Sequence, residues 1–158
     1  ARSGDYALAA ARAWKEAQPQ SREANRYTLQ ILIALNRIGE TSDLLRQELA
    51  QAPPRTKAST LSALPQMYGR ASEKVLAAKV VESALVDELA HPATGPVAWV
   101  SLGRLRLAAG DRAGALHAAQ QAQALDDANE GAAGLAWIRK QHNIKTSNTR
   151  REQTKLIK

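Results

Sequence analysis

Two residue types are missing from this chain of 158 residues, which has no cysteine and no phenylalanine, and aromatic residues are limited to three Trp and three Tyr. Without cysteine there is no disulfide framework, no thiolate metal site and no cysteine nucleophile. The longest purely apolar runs, among them residues 31–35, have no more than six residues, far short of the roughly 20 residues that a membrane-spanning helix needs. The sequence therefore excludes a disulfide-stapled scaffold and a thiol enzyme, and it predicts no membrane-spanning helix.

Small apolar residues dominate what is present. The chain is 44% apolar and contains 32 Ala and 19 Leu. Alanine loses no side-chain entropy in a helix and allows two helices to approach closely. Sheets favour β-branched and aromatic side chains instead. This composition predicts an all-α fold.

Turn-forming residues recur at regular intervals: Gly4, Gly39, Gly69 and Gly110 are separated by 35, 30 and 41 residues. Intervals of this size indicate a repeat protein. Between these turn-forming residues, the periodicity of the apolar residues predicts about eight helices. They cover residues 6–18, 22–38, 42–51, 55–68, 72–90, 96–109, 112–125 and 129–142. Short connections between them make successive helices antiparallel neighbours. The prediction is a stack of helical hairpins.

Local signals refine these boundaries. The predicted N-caps are Asp5, Ser21, Thr41, Ser72, Asp111 and Asn129. Gly39 and Gly110 are expected in the left-handed conformation just after a helix. Pro65 lies inside the fourth helical pattern, where we expect a kink or a break.

A specific motif lies in residues 97–127. It consists of Trp99-x2-Leu102-Gly103-x2-Arg106, followed by Gly110, Ala115, Ala119, Ala122 and Asp127. This pattern resembles the tetratricopeptide repeat, a helical hairpin with the signature W-x2-L-G-x2-Y…G…A-x3-F…A…P. The departures are Arg106 for Tyr, Ala119 for Phe and Asp127 for Pro. The resemblance implies a right-handed α-solenoid of antiparallel hairpins that acts as a scaffold for protein–protein interaction.

The amino-acid sequence of residues 9–24 is similar to that of one group of such proteins. These are the proteobacterial tetratricopeptide-repeat outer-membrane lipoproteins that are adaptors for carboxyl-terminal processing proteases. This resemblance implies a periplasmic or outer-membrane-associated adaptor whose lipid anchor lies outside this chain. Its partners would be a periplasmic protease and the substrates of that protease. Without the resemblance, a cytoplasmic location remains open.

No arrangement of residues predicts catalysis. His91, His117 and His142 are isolated in sequence, and the single Glu88-x-x-His91 pair lacks the second pair that would complete a metal site. Hydrolase, P-loop and dinucleotide motifs are absent. We therefore predict a non-enzyme without cofactor or metal. Trp14, Trp99 and Trp137 are expected to fill the core, with Trp137 covering the end of the stack.

In tetratricopeptide-repeat solenoids, the first helix of each hairpin lines a concave face that binds a peptide or a partner helix. Carried over by position, this resemblance places the following residues on that face: Arg26, Leu29, Ile33, Asn36, Ser59, Gln66, Val100, Arg104 and Leu107. Arg26 and Arg104 would be able to bind a carboxylate through charge-assisted hydrogen bonds.

The last 20 residues differ from the rest, so we predict a repeat domain over residues 1–138 and a basic tail over 139–158. The tail carries seven basic residues against the single Glu152, a net charge of +6 in a chain whose net charge is +7. Its basic residues are Arg139, Lys140, Lys145, Arg150, Arg151, Lys155 and Lys158. It is a flank, a last helix, or an arm that binds an anionic surface or nucleic acid. Nucleic acid is the less favoured ligand, because no aromatic residues are interleaved for base stacking. Apolar surface at residues 1–6 would also allow self-association.

Overall fold

The computed structural model describes residues 2–130 and Arg151, and all of these are in helices, turns or loops, with no strand among them. The helices are α1 Arg2–Ala17, α2 Arg22–Ala34, α3 Ser42–Gln51, α4 Pro54–Met67, α5 Lys74–Ala84, α6 Val86–Ala90 and α7 Gly95–Ala108, with a 3-10 helix at Ile38–Glu40 between α2 and α3. Residues 112–130 are also helical and are called α8. The all-α prediction is confirmed.

The chain divides into two compact units, residues 1–123 and residues 124–158. The first unit holds α1 to α7 and the first part of α8, residues 112–123. In the second unit, residues 124–130 are helical and Arg151 is exposed. The predicted boundary at residue 138, Trp137 and His142 lie outside the described residues.

Several helix ends follow from local side-chain chemistry, as predicted. The Ser21 Oγ accepts a hydrogen bond from the Ala24 N–H at 3.2 Å and caps α2. The Asp111 Oδ1 accepts one from the Gly114 N–H at 2.8 Å at the start of α8. Each contact satisfies a backbone donor that the first helical turn leaves unpaired. Gly110 has a φ of 82°, so the prediction of a left-handed residue after α7 is confirmed.

The end of α2 is a correction. The predicted helix over 22–38 stops at Ala34, and the left-handed residue is Asn36, with a φ of 57°, instead of Gly39. Asparagine tolerates this conformation better than other residues with a Cβ atom. The Asn36 side chain also binds the loop between α4 and α5: its Nδ2 donates to the Ser72 Oγ at 2.6 Å, and its Oδ1 accepts from the Ser72 N–H at 3.0 Å.

Other predicted boundaries are also wrong. The helix over 72–90 begins at Lys74 and is divided at Leu85 into α5 and α6, and Ser72 is engaged by Asn36 instead of capping a helix. Asp5 lies in the first turn of α1 and does not precede it. Thr41 precedes α3, but its hydroxyl makes no cap. The expected turn over residues 126–129, with Asn129 as a cap, is helical.

Pro65 neither breaks nor ends α4, which continues to Met67. Proline has no N–H, so the carbonyl of Leu61, four residues earlier, loses its helical partner. In this structure the Ser101 Oγ of α7 donates to the Leu61 carbonyl at 2.7 Å. A side chain of the neighbouring helix thus supplies the hydrogen bond that Pro65 removes, and α4 does not break at this residue.

The core lies between α3, α4, α5 and α7. Leu45 and Leu49 of α3, Leu61 and Leu64 of α4 and Val81 of α5 are all buried there. Helix α4 packs along α7, α5 packs on both α3 and α7, and α1 packs on α2. None of the helices in the described part of the chain is long and apolar enough to span a membrane.

Tyr68 is the largest fully buried side chain among the described residues, and its hydroxyl donates to the Thr41 Oγ1 at 2.9 Å. The Thr41 hydroxyl in turn donates to the Ile38 carbonyl at 2.7 Å. Burial raises the pKa of Tyr68 to about 12, because the phenolate would have to form away from water. This short chain of hydrogen bonds ties the end of α4 to the turn that precedes α3.

Two residues of the tetratricopeptide-like motif, Gly103 and Arg106, make contacts that join neighbouring helices. A Cβ atom on Gly103 would lie 3.2 Å from the Ala118 Cβ, so this glycine allows α7 and α8 to approach closely. Where the repeat signature has Tyr, the Arg106 guanidinium binds the Glu82 carboxylate at 2.8 Å and the Gly114 carbonyl at 3.1 Å. Charge-assisted bonds therefore occupy the position of the missing aromatic ring.

Candidate functional site

Helices α2, α4 and α7 carry the residues predicted for the binding face. On α2, Arg26 is exposed and Ile33 is half-buried. On α4, Ser59 and Gln66 are both exposed. The residues lie seven positions apart on each helix, a spacing that places them on one side of that helix.

On α7, the same spacing presents two apolar residues, Val100 and Leu107, with Arg104 between them. The side chains of Val100 and Leu107 are 41% and 59% exposed. Arg104 is exposed and makes no hydrogen bond or ion pair within the described part of the chain. Two exposed apolar residues with an exposed cation between them therefore lie on one side of α7.

The structure corrects the predicted position of two residues of the binding face. Leu29 is 1% exposed and belongs to the core cluster, so at most it forms the floor of a site. Asn36 lies beyond the end of α2, and both ends of its amide are used by Ser72. The resemblance to tetratricopeptide-repeat proteins, applied to a longer helix 22–38, had placed both on the concave face.

A groove of about 310 Å³ separates α2 from α4. Its lining combines one ion pair, two hydroxyls and an apolar floor: Arg26, Leu29, Gln30, Glu48, Ser59, Thr60, Ala63 and Met67. Arg26, Leu29 and Ser59 were predicted from the sequence, and the structure brings them together here. Leu29, Ala63 and Met67 give the groove an apolar floor beneath polar walls.

The groove is also lined by residues that were not predicted as site residues: Gln30, Glu48, Thr60, Ala63 and Met67. Glu48 is the charged one among them. Its side chain is 5% exposed, and its Oε1 accepts hydrogen bonds from two arginines of α2: Arg22 through Nε at 3.3 Å and Nη2 at 3.0 Å, and Arg26 through Nη2 at 3.0 Å. Its Oε2 is buried without a partner. The spacing of the two arginines, four residues apart, puts them on one side of α2. It did not indicate which acid on another helix they would meet.

The hydroxyls of the groove already donate hydrogen bonds. Ser59 and Thr60 both donate to the Thr56 carbonyl, at 2.8 Å and 3.0 Å. Their oxygens therefore remain free to accept hydrogen bonds from a ligand. Gln30 makes no hydrogen bond with any residue that the structure describes. The walls of the groove thus offer both donors and acceptors.

The tryptophans differ from the prediction. Trp14 is 40% exposed, and its ring lies 6.2 Å from that of Tyr27. Trp99 is half-buried: its Nε1 donates to the Leu89 carbonyl at 3.2 Å, and its ring meets the edge of the His117 ring. Neither Trp14 nor Trp99 belongs to the buried core.

The Glu88–His91 pair is not joined by further metal ligands. Glu88 forms an ion pair with Lys57 at 3.1 Å, and the His91 Nδ1 accepts a hydrogen bond from the Ala93 N–H at 3.1 Å. Among the described residues, no group of three or more His, Asp and Glu side chains is placed to bind a metal ion. Of the predicted basic tail, only Arg151 is described; Arg139, Lys140, Lys145, Arg150, Lys155 and Lys158 lie outside the described residues.

Comparison with the models of known protein families, with curated proteins and with solved structures finds no match to this chain. The resemblance to tetratricopeptide-repeat proteins therefore remains a prediction from the sequence, and function has to be argued from the face itself.

Proposed function

We propose that this chain is a non-enzymatic scaffold that binds a peptide or a segment of a partner protein on the side formed by α2, α4 and α7. The observation that carries this proposal is the convergence of the predicted residues. Arg26 and Ser59 meet at one groove, and α7 beside α4 presents exposed Val100 and Leu107. Exposed apolar residues next to polar ones are typical of protein interaction sites.

The proposal extends to the architecture, a right-handed solenoid of tetratricopeptide-like hairpins. In such a stack, the first helices of successive hairpins pack on each other, as do the second helices. The contacts of α4 with α7 and of α3 with α5 agree with this arrangement, whereas the groove separates α2 from α4 and α4 does not pack closely on α5. The close approach at Gly103 and the turn at Gly110 support it further.

Binding of a synthetic nonapeptide library by fluorescence anisotropy tests the interaction face. The double variant Val100→Ser/Leu107→Ser removes these two apolar side chains of α7 and should weaken binding at least about tenfold, a loss of about 1.4 kcal/mol. The matched control is Val75→Ser/Val86→Ser, which changes two residues that are 55% and 60% exposed on α5 and α6. Equal loss in both variants, or no binding by the intact chain, would contradict the proposal.

The resemblance to adaptor lipoproteins adds a narrower proposal, in which the partner is a periplasmic processing protease. A pull-down from a proteobacterial envelope extract tests it. Retention of such a protease at high salt, by both the full chain and residues 1–138, supports the narrower proposal. Its absence from both eluates contradicts the proposed partner and leaves the peptide-binding proposal to the library measurement.

The alternative function, binding of an anionic surface or nucleic acid through the tail, is favoured by the net charge of +6 over residues 139–158. It predicts that affinity falls steeply with salt and disappears when these residues are deleted. Titration of the full chain and of residues 1–138 with vesicles containing anionic lipid, and with duplex DNA, checks it. Salt-independent binding would contradict this alternative.

A further inference from the structure

The arginines that share Glu48 are not equivalent. Arg22 donates two hydrogen bonds to the Glu48 Oε1, and its side chain is 28% exposed. Arg26 donates a single one, and its side chain is 51% exposed. Arg26 lines the groove, whereas Arg22 does not. Arg26 can therefore leave Glu48 while Arg22 keeps the buried carboxylate paired.

The local charge favours an incoming anion. Two guanidinium groups face one carboxylate, which leaves a net charge of +1, and Glu48 is the only acid that lines this groove among the described residues. Only one N–H of Arg26 is engaged, and a guanidinium binds a carboxylate with two parallel hydrogen bonds. Gln30 offers a further donor on the same wall.

The rest of the groove fits a peptide better than a small inorganic anion. Backbone N–H groups of a peptide would find acceptors in the Ser59 and Thr60 oxygens, whose hydrogens already point to the Thr56 carbonyl. Apolar side chains of the peptide would cover the floor formed by Leu29, Ala63 and Met67. A free phosphate or sulfate ion would use neither.

We propose that the groove between α2 and α4 binds a peptide carboxylate, for which Arg26 exchanges its hydrogen bond with Glu48 for one with the ligand. Glu48 is then an internal competitor that holds Arg26 at the groove wall when no ligand is bound. The carboxylate is either the end of a chain or an Asp or Glu side chain. This inference rests on the proposed function and specifies the chemistry of the ligand.

Four pools of labelled nonapeptides test the exchange on the full chain. The pools have a free or an amidated C-terminus, and they contain either Asp and Glu or only Asn and Gln. We expect every pool with a carboxylate to bind about tenfold tighter than the pool with none, as for a hydrogen bond to a charged group. The two mixed pools distinguish a chain end from a side chain.

Substitutions at the three charged residues have effects of opposite sign. Glu48→Gln removes the competitor and should tighten binding of the carboxylate pools severalfold. In Arg22→Gln, Arg26 is the remaining arginine that pairs with Glu48, so binding of the carboxylate pools should weaken severalfold. Arg26→Gln should abolish the preference for carboxylates altogether. Arg46→Gln, which removes an exposed arginine of α3 away from the groove, is the matched control and should change nothing.

The outcomes separate this inference from the proposed function. Equal binding of all four pools, or weaker binding by Glu48→Gln, would overturn the exchange and leave peptide binding intact. Absence of binding by every pool would overturn both. Thermal denaturation checks that the variants fold. If Glu48→Gln does not fold, the weaker binding expected for Arg22→Gln tests the exchange.

Discussion

The two flanks of α4 are built differently. Toward α7, the helix is closely packed: Leu61, Leu64, Ala98, Ser101 and Leu105 are all less than 5% exposed. Toward α2, it borders a groove of about 310 Å³ with Glu48 at its inner wall. Small residues on α7 let α4 and α7 pack closely on one flank. On the other flank, the buried carboxylate of Glu48 and the two arginines that pair with it lie behind the groove.

This difference shows how one helix can serve both stability and binding. Apolar side chains that are fully removed from water give the closed flank its contribution to folding. A buried carboxylate contributes little net stability, because the cost of desolvation offsets its attraction to the arginines. On the open flank, therefore, an exchange of the hydrogen-bond partner of Arg26 reduces the free energy of unfolding least.

The largest effect is expected on the closed flank, from Leu61→Ala. Leu61 has no exposed surface, and removal of a buried leucine side chain leaves a cavity that costs about 2–5 kcal/mol. Urea denaturation should show this loss in the free energy of unfolding. A loss below about 1 kcal/mol would mean that the closed flank is not the stable one.

Ser101→Ala should cost about 1–3 kcal/mol, because it leaves the Leu61 carbonyl buried without a donor. Pro65 is the reason that this carbonyl needs an external partner. In a Pro65→Ala background, residue 65 regains an N–H that can bind the Leu61 carbonyl, so Ser101→Ala should cost clearly less there. Equal costs in the two backgrounds, measured as a double-mutant cycle, would contradict the compensation.

Tyr68→Phe should cost about 1 kcal/mol at neutral pH, since it removes the hydrogen bond to Thr41. Burial raises the pKa of Tyr68 to about 12 from its ordinary value of 10.0. The unfolded chain therefore loses the Tyr68 proton at a lower pH than the folded chain does, and the wild type loses stability as pH rises from 10 to 12. Denaturation curves across this range should be less pH-dependent for Tyr68→Phe, and an unchanged dependence would refute this assignment.

The smallest effect on stability is expected on the open flank, from Ala63→Leu. The added side chain fills the groove, so the free energy of unfolding should change by about 0.5 kcal/mol or less, while peptide binding is lost. Ala58→Leu makes the same change at an exposed site on α4 outside the groove and should leave binding intact. Loss of binding in both variants would argue against the groove as the site.

Sequence reasoning gave good positions for the helices where a cap or a glycine acts locally. Ser21, Asp111 and Gly110 act within three or four residues of themselves, and each was predicted. It failed where the partner lies far along the chain. Asn36 replaces Gly39 as the left-handed residue, and its side chain is fixed by Ser72.

The same reason explains what was missed at the site. Arg26 and Ser59 were found because the resemblance to tetratricopeptide-repeat proteins assigns them to the first helices of two hairpins, and each assignment needs only a position along one helix. Glu48 carries no local signal, because its role depends on α3 packing behind α2. Pro65 was expected to disturb α4 because the sequence does not show the donor that compensates for its missing N–H. That donor, Ser101, is 40 residues away from Leu61.

The bonds between Asn36 and Ser72 also set a limit on insertions and deletions. They join two turns that lie 36 residues apart, close to the 34-residue length of a helical-hairpin repeat. One added or removed residue between α4 and α5 would displace Ser72 and release the Asn36 side chain. The strained turn after α2 would then lose its support. In this part of the chain the Asn36 amide joins the two turns directly, so a change in the length of the α4–α5 loop should be tolerated less well than a substitution of its exposed Arg70 or Glu73.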